Sequence, residues 1–144
     1  MTTPDAAGYR PPDAATRPVI EVSAAVIRDR HGRLLLVRKA GTTAFMQPGG
    51  KPEPGESAAE TLSRELEEEL GLRIAPASLR SVGTFRAAAA NEAGHDVVAA
   101  VFDAELGSQE PRIAAEIAEL RWASAEDAEV LDIAPLARRF FLTV

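Results

Sequence analysis

Residues 50–72 read GKPEPGESAAETLSRELEEELGL, and the rest of the chain has to be arranged around that stretch. Four of the five residues at 65–69 are carboxylates: Glu65, Glu67, Glu68 and Glu69. On a helix turning about 100° per residue, Leu62, Leu66 and Leu70 make an apolar stripe, while Glu65, Glu68 and Glu69 gather within about a 100° arc beside it. Ser57 followed by Glu60 has the form of a capping box, which leaves Pro54, Gly55 and Glu56 in a loop. Gly71 stands where a helix ends in a left-handed residue, so the spacing predicts a helix over 58–70.

Such a carboxylate face has two readings. It is a solvated acidic surface, as charge runs usually are, or it is a cation site. Like charges at i,i+3 and i,i+4, such as Glu65 with Glu68 and Glu69, cost a few tenths of a kcal/mol per pair when nothing neutralises them. Clustered carboxylates suit hard divalent cations, and hydrolysis of a phosphoanhydride needs what such cations supply: neutralised phosphoryl oxygens and an activated water.

Gly50, Glu56, Arg64, Glu65, Leu66, Glu68, Glu69, Gly71 and Leu72 match without departure the Nudix box, G-x5-E-x7-R-E-U-x-E-E-x-G-U, with U aliphatic. A chance match at any one start is on the order of one in 10⁹ from residue frequencies. The chain therefore resembles the Nudix hydrolase family, although the box spans only residues 50–72. The resemblance implies an α+β fold, an α/β/α sandwich around a central mixed β-sheet, over about residues 19–141. It implies Mg²⁺-dependent hydrolysis, with Mn²⁺ as a substitute, of a phosphoanhydride in a nucleoside diphosphate linked to another moiety, nucleoside triphosphates included.

Roles follow residue by residue from the same resemblance. Glu65 is similar to the residue that deprotonates water or binds the metal that activates it, and Glu68 and Glu69 to the principal metal ligands. Arg64 is expected to hold a box carboxylate in place, and Glu56 to reach a second metal. The Gly49 carbonyl is implied as a ligand, with Lys51 near the site. Family members often add a Glu ahead of a late Trp; Glu116, six residues before Trp122, fits that description, with Glu119, Glu110 and Glu105 as competitors. The alternative function is a non-catalytic Nudix-like module that binds a nucleotide or nucleotide sugar, and retention of Glu65, Glu68 and Glu69 favours the enzyme. A third reading is an acidic helix that docks a partner protein. Markers of the ADP-ribose, dinucleoside polyphosphate, NADH and coenzyme A subfamilies are not matched. Asn91, the lone Asn, falls in a predicted turn rather than at a guanine.

Upstream of the box, Gln47, Pro48, Gly49 and Gly50 suit a backbone that approaches an ion or phosphate closely. Gln47 is polar in a slot often aliphatic or aromatic in the family, which makes it a candidate contact for the substrate base. Residues 19–28 (VIEVSAAVIR) and 33–39 (RLLLVRK) read as two strands joined by a turn at 29–32, a hairpin. Arg38 and Lys39 end the second strand near the box and are candidates for substrate phosphates, with plain surface charge as the equal alternative. His31 reads as a solvated turn residue. Residues 1–18, with four prolines and little to bury, read as a disordered arm, or as an arm exchanged across a homodimer with Tyr9 as its anchor.

Downstream, 79–90 and 96–106 are expected to form a second hairpin across a turn at 91–94, with His95 at the surface. LRWA at 120–123 reads as a short strand, Ser124 to Asp127 as a helix start, and Asp132, Ile133, Ala134 and Pro135 as the start of a last helix ending near Phe141. At 144 residues and 46% apolar content the chain makes one domain, 19–144, with a real core. A net charge of −6 argues against nucleic-acid polymers as partners and leaves a small nucleotide as the expected substrate. With no cysteine, no apolar span and no signal-like start, neither disulfides nor a membrane are expected, and the cytoplasm is the expected compartment.

Overall fold

Successive buried residues of the first two strands, β1 (Val19–Val26) and β2 (Leu34–Lys39), join opposite sides of the core in the computed structural model, which describes residues 17–141. Ala24 and Val26 enter one hydrophobic cluster with Leu34 and Leu36, while Ala25 and Ile27 enter a second with Leu35 and Val37. A strand apolar on both faces needs a layer on each side. One layer is the helix α1 (Ala58–Leu70), whose Leu62, Leu66 and Leu70 are wholly buried in the second cluster. The other is the C-terminal segment, where α3 (Pro135–Arg138) and the 3₁₀ turn Arg139–Phe141 give Leu136 and Phe140 to the first cluster.

Between these layers lie two sheets. The larger runs β3-β1-β5-β4, with β3 at Gly49–Gly50, β4 at Arg80–Ala88 and β5 at Asp96–Asp103. β1 runs parallel to β5 from Val19 opposite Asp96 to Val26 opposite Asp103, and antiparallel to β3, so the sheet is mixed. The smaller sheet pairs β2 antiparallel with β6 (Ile117–Ala123). A short helix α2 (Asp127–Val130) links β6 to the C-terminal layer. No helix among the described residues is long and apolar enough to cross a membrane.

The helix over 58–70 forms with the expected bounds, Ser57 accepting from the Glu60 N–H and Glu60 from the Ser57 N–H, and Gly71 left-handed at φ 67°. β4 and β5 form the expected second hairpin, although β5 ends at Asp103 rather than 106. The first hairpin is corrected. The turn at 29–32 is present, with Asp29 Oδ1 accepting from the His31 and Arg33 N–H groups, but the strands part beyond it. The Asp29 N–H to Arg33 carbonyl bond, the Arg28–Leu34 bridge and the Leu35 N–H to Ile27 carbonyl bond join them next to the turn, and β1 and β2 do not pair further. Both edges of β1 are occupied by β5 and β3, and β2 pairs with β6 instead. The last helix is one turn followed by a 3₁₀ turn. Residues 1–16 of the expected arm, Tyr9 with them, lie outside the described residues, and Arg17 and Pro18 are held against β5 through Asp96, whose N–H donates to the Pro18 carbonyl.

Candidate active site

Seven residues on, a helix has turned to within about 20° of its starting direction, so Glu69 lies almost directly over Leu62, at the end of the carboxylate arc that adjoins the apolar stripe. Glu65 falls at the border of that stripe and Glu68 beyond it. Burial follows the same order: Glu69 is 1% exposed, the Glu65 side chain 15% and the Glu68 side chain 54%. Burial, reinforced by the negative charge of Glu65, pushes the Glu69 carboxyl up to about 8. Burial also raises Glu65, against the pull of Arg64. Glu69 Oε1 accepts from the Gly49 N–H at 3.3 Å, and its Oε2 is buried without a hydrogen-bond partner. A buried carboxylate oxygen left unpaired is costly, and a cation or a proton is what it lacks.

Arg64 organises the loop before the helix. Its Nε and Nη2 donate to the two Glu56 oxygens at 2.6 and 2.9 Å, its Nη1 to Glu65 Oε2 at 3.1 Å and Glu68 Oε1 at 3.3 Å, and its Nη2 to the Lys51 carbonyl at 3.0 Å. Glu56 accepts further from the Glu53 N–H and the buried Thr61 hydroxyl. The Arg64 guanidinium, with the Glu53 N–H, holds the Glu56 carboxyl down at about 2. Both Glu56 oxygens are thus engaged in tying the loop to the helix.

Gly49 and Gly50 pass between β1 and α1 where no side chain fits. A Cβ on Gly49, at φ 151°, would collide with the Ser23 carbonyl oxygen, and one on Gly50 with the Glu65 carboxylate. This close passage brings backbone, Glu65 and Glu69 to one end of a cavity of about 320 Å³. Lys39 from the end of β2 and Glu116 from the loop before β6 complete that end, with the Lys39 Nζ 3.7 Å from Glu116 Oε2. Lys51 stands at the rim, its Nζ 3.8 Å from Glu92 of the β4–β5 loop. Gln47 lies in the cavity wall, 7% exposed.

Of the residues singled out from sequence, the cavity gathers Gly49, Glu65, Glu69, Glu116, Lys39, Lys51 and Gln47. It does not gather Arg38, whose guanidinium pairs with Glu119 and the Thr42 carbonyl, nor Glu56 and Glu68, which serve Arg64. Of the competitors to Glu116, Glu119 is held by Arg38 and Arg121, and neither Glu110 nor Glu105 lines the cavity. Among the described residues no three acidic or histidine side chains already enclose a point where an ion would sit. The donor set still fits a hard cation: Glu69 Oε2 is unpaired beside Glu65 and Glu116.

The far end of the cavity was not anticipated from sequence. It is aliphatic, formed by Ile20 and Val22 of β1, Val97 of β5 and Leu136 of α3, and is lined also by Ala88 at the end of β4 and by Ala89, Ala90 and Asn91 of the β4–β5 loop. The run of small residues at 87–90 was the available signal, since alanines beside a turn leave room for a ligand.

The sequence profile of the NUDIX domain matches residues 18–144. An 8-oxo-dGTP diphosphatase of Haemophilus influenzae is 40% identical over 58 residues, 38% of this chain and 43% of the relative. The chain therefore spans less than half the length of that relative. The solved MutT protein of Methanosarcina mazei superposes with a TM-score of 0.70 at 28% identity, covering 88% of this chain and 92% of the other. A MutT NUDIX hydrolase of Burkholderia pseudomallei gives a TM-score of 0.71 at 26% identity, with coverage of 88% and 98%.

Proposed function

The chain belongs to the Nudix family, and from that premise we propose that it hydrolyses a phosphoanhydride bond in a nucleoside diphosphate linked to another moiety, with nucleoside triphosphates in that class. The observation that carries the reading is the pairing of two ends in one cavity: a carboxylate end with an unpaired buried Glu69 oxygen, and an aliphatic end lined by Ile20, Val22, Val97 and Leu136. The first suits a cation and a polyphosphate; the second suits a flat base. Glu65, Glu69, Glu116 and the Gly49 backbone would hold Mg²⁺, or Mn²⁺ in its place. When bound, such an ion neutralises phosphoryl oxygens and makes a bound water more acidic.

The chain's own groups supply the rest. Lys39 and Lys51 offer positive charge to the phosphate chain, and Gly49 and Gly50 let it approach the backbone. Arg64, fixed on Glu56, holds the Glu65 carboxylate at its station. Glu65 takes a proton from the water whose oxygen bonds to phosphorus as the bridging P–O bond breaks, and the leaving phosphate departs with that bridging oxygen.

A panel of nucleoside triphosphates, oxidised triphosphates, nucleotide sugars and dinucleoside polyphosphates, read by phosphate and pyrophosphate release with excess Mg²⁺, tests this. At least one member is expected to turn over, to stop with EDTA and to resume with added Mg²⁺. Turnover that persists in EDTA with trace metals removed would refute the metal site, and no turnover across the panel would refute the hydrolase.

A further inference from the structure

Gln47 is a carboxamide placed where its polarity is fixed. Its Nε2 donates to the Ala25 carbonyl at 3.1 Å. That carbonyl can only accept, so the amide must turn its NH₂ edge toward β1 and leave Oε1 on the other edge. Oε1 is buried and has no partner. A buried acceptor left unpaired is unfavourable and rare in native structures. The side chain stands in the wall of the nucleotide-sized cavity rather than in the sealed core. Other uncharged polar groups of the lining are spent or peripheral: the Ser23 hydroxyl donates to the Ala58 carbonyl, and Asn91 is exposed at the rim. No aromatic ring lines the cavity among the described residues, so a base held between Ile20, Val22, Val97 and Leu136 gains contact there but little discrimination.

We propose that Gln47 determines base specificity, its Oε1 accepting a hydrogen bond from the exocyclic amino group of the substrate base. This rests on the nucleotide reading of the cavity above. An amino group opposite Oε1 satisfies both partners; a keto oxygen in the same place sets two acceptors against each other and leaves both unpaired. The cavity therefore takes amino-bearing bases in preference to their keto counterparts.

Binding of AMP against IMP, and of CMP against UMP, by calorimetry with Mg²⁺ and the full chain tests this, since each pair exchanges amino for keto at one carbon and, with it, a bare ring nitrogen for an N–H at the neighbouring position. In at least one pair the amino member is expected to bind roughly tenfold or more tightly. Gln47→Met, close in size and without the acceptor, brings that ratio to about twofold or less, and Gln47→Leu repeats the result if the first variant folds poorly. Independently of any variant, the side-chain amide signals of Gln47 in the native chain shift on saturation with the amino member and not with the keto member. Equal binding within both pairs, a ratio that survives in a folded Gln47→Met, or unmoved Gln47 signals would each overturn the assignment, as would discrimination that tracks the ribose hydroxyl in AMP against dAMP. Because the readout is binding, absence of turnover counts against the hydrolase alone.

Discussion

Glu69 adjoins the leucine stripe of α1, and it is nearly as buried as Leu62, Leu66 and Leu70. A carboxylate kept there, with one oxygen on the Gly49 N–H and the other unpaired, is held at a cost that a cation or a proton offsets. Glu69→Gln keeps the volume and removes the charge. It is expected to lower kcat by about 100-fold or more at saturating Mg²⁺ and to weaken Mg²⁺ binding in a parallel titration; near-normal turnover would make the residue structural. Arg64 acts at one remove, through Glu56 and Glu65. Arg64→Lys keeps the charge but loses the fork that grips both Glu56 oxygens. The expected loss in kcat is roughly 10- to 100-fold, as for other groups that orient a metal ligand. A variant that matches the native chain in steady-state rate would show that Glu65 needs no support.

Helix α1 carries its own start and stop signals, and these act locally. Removing the cap with Ser57→Ala leaves the Glu60 N–H unsatisfied and should cost about 1 kcal/mol in chemical denaturation, with the slope unchanged; a loss within error of zero would mean that packing of Leu62, Leu66 and Leu70 suffices to place the helix. Because these signals lie within a few residues of one another, the bounds of α1 and the carboxylate arc could be read from sequence. The pairing of β1 could not. The turn at 29–32 is real, yet it does not say that β1 prefers β5, a strand some seventy residues on, to its neighbour β2. The same limit applies to the cavity. Gly49, Lys51, Glu65 and Glu69 lie in or next to the box and line the cavity together, whereas Ile20, Val97 and Leu136 meet only through tertiary packing. Arg38 and Lys39 are neighbours in sequence but diverge at the irregular end of β2, where the register shifts, so one meets Glu119 and the other the cavity.

Across the molecule, protonation links the site to stability. Glu69 titrates at about 8 when folded against 4.5 in an ordinary environment, so between those values the unfolded chain has lost a proton that the folded chain still holds. The contribution of Glu69 to the stability of the metal-free protein is therefore full below about 4.5, declines as pH rises toward about 8, and levels off above it; raised Glu65 adds in the same direction. Glu56, depressed to about 2, acts oppositely, its contribution being lost as pH falls from the ordinary carboxylate range toward that value. Denaturation in EDTA across this range should show the decline, and Glu69→Gln should flatten it. Excess Mg²⁺ should restore stability at the alkaline end, since a ligand that binds only the folded form stabilises it. A native profile flat from 4.5 to 8 in EDTA would refute the buried carboxyl. The parallel pairing of β1 with β5 also has a consequence in time. During synthesis β1 leaves the ribosome first and its partner only after α1, β4 and the loop between β4 and β5 have followed, while β2 waits longer still for β6. Contacts this distant in sequence close slowly, so the nascent chain carries a capped helix beside two open strand edges, and protection from proteolysis should arrive in one late step, when residues 117–123 emerge, rather than element by element.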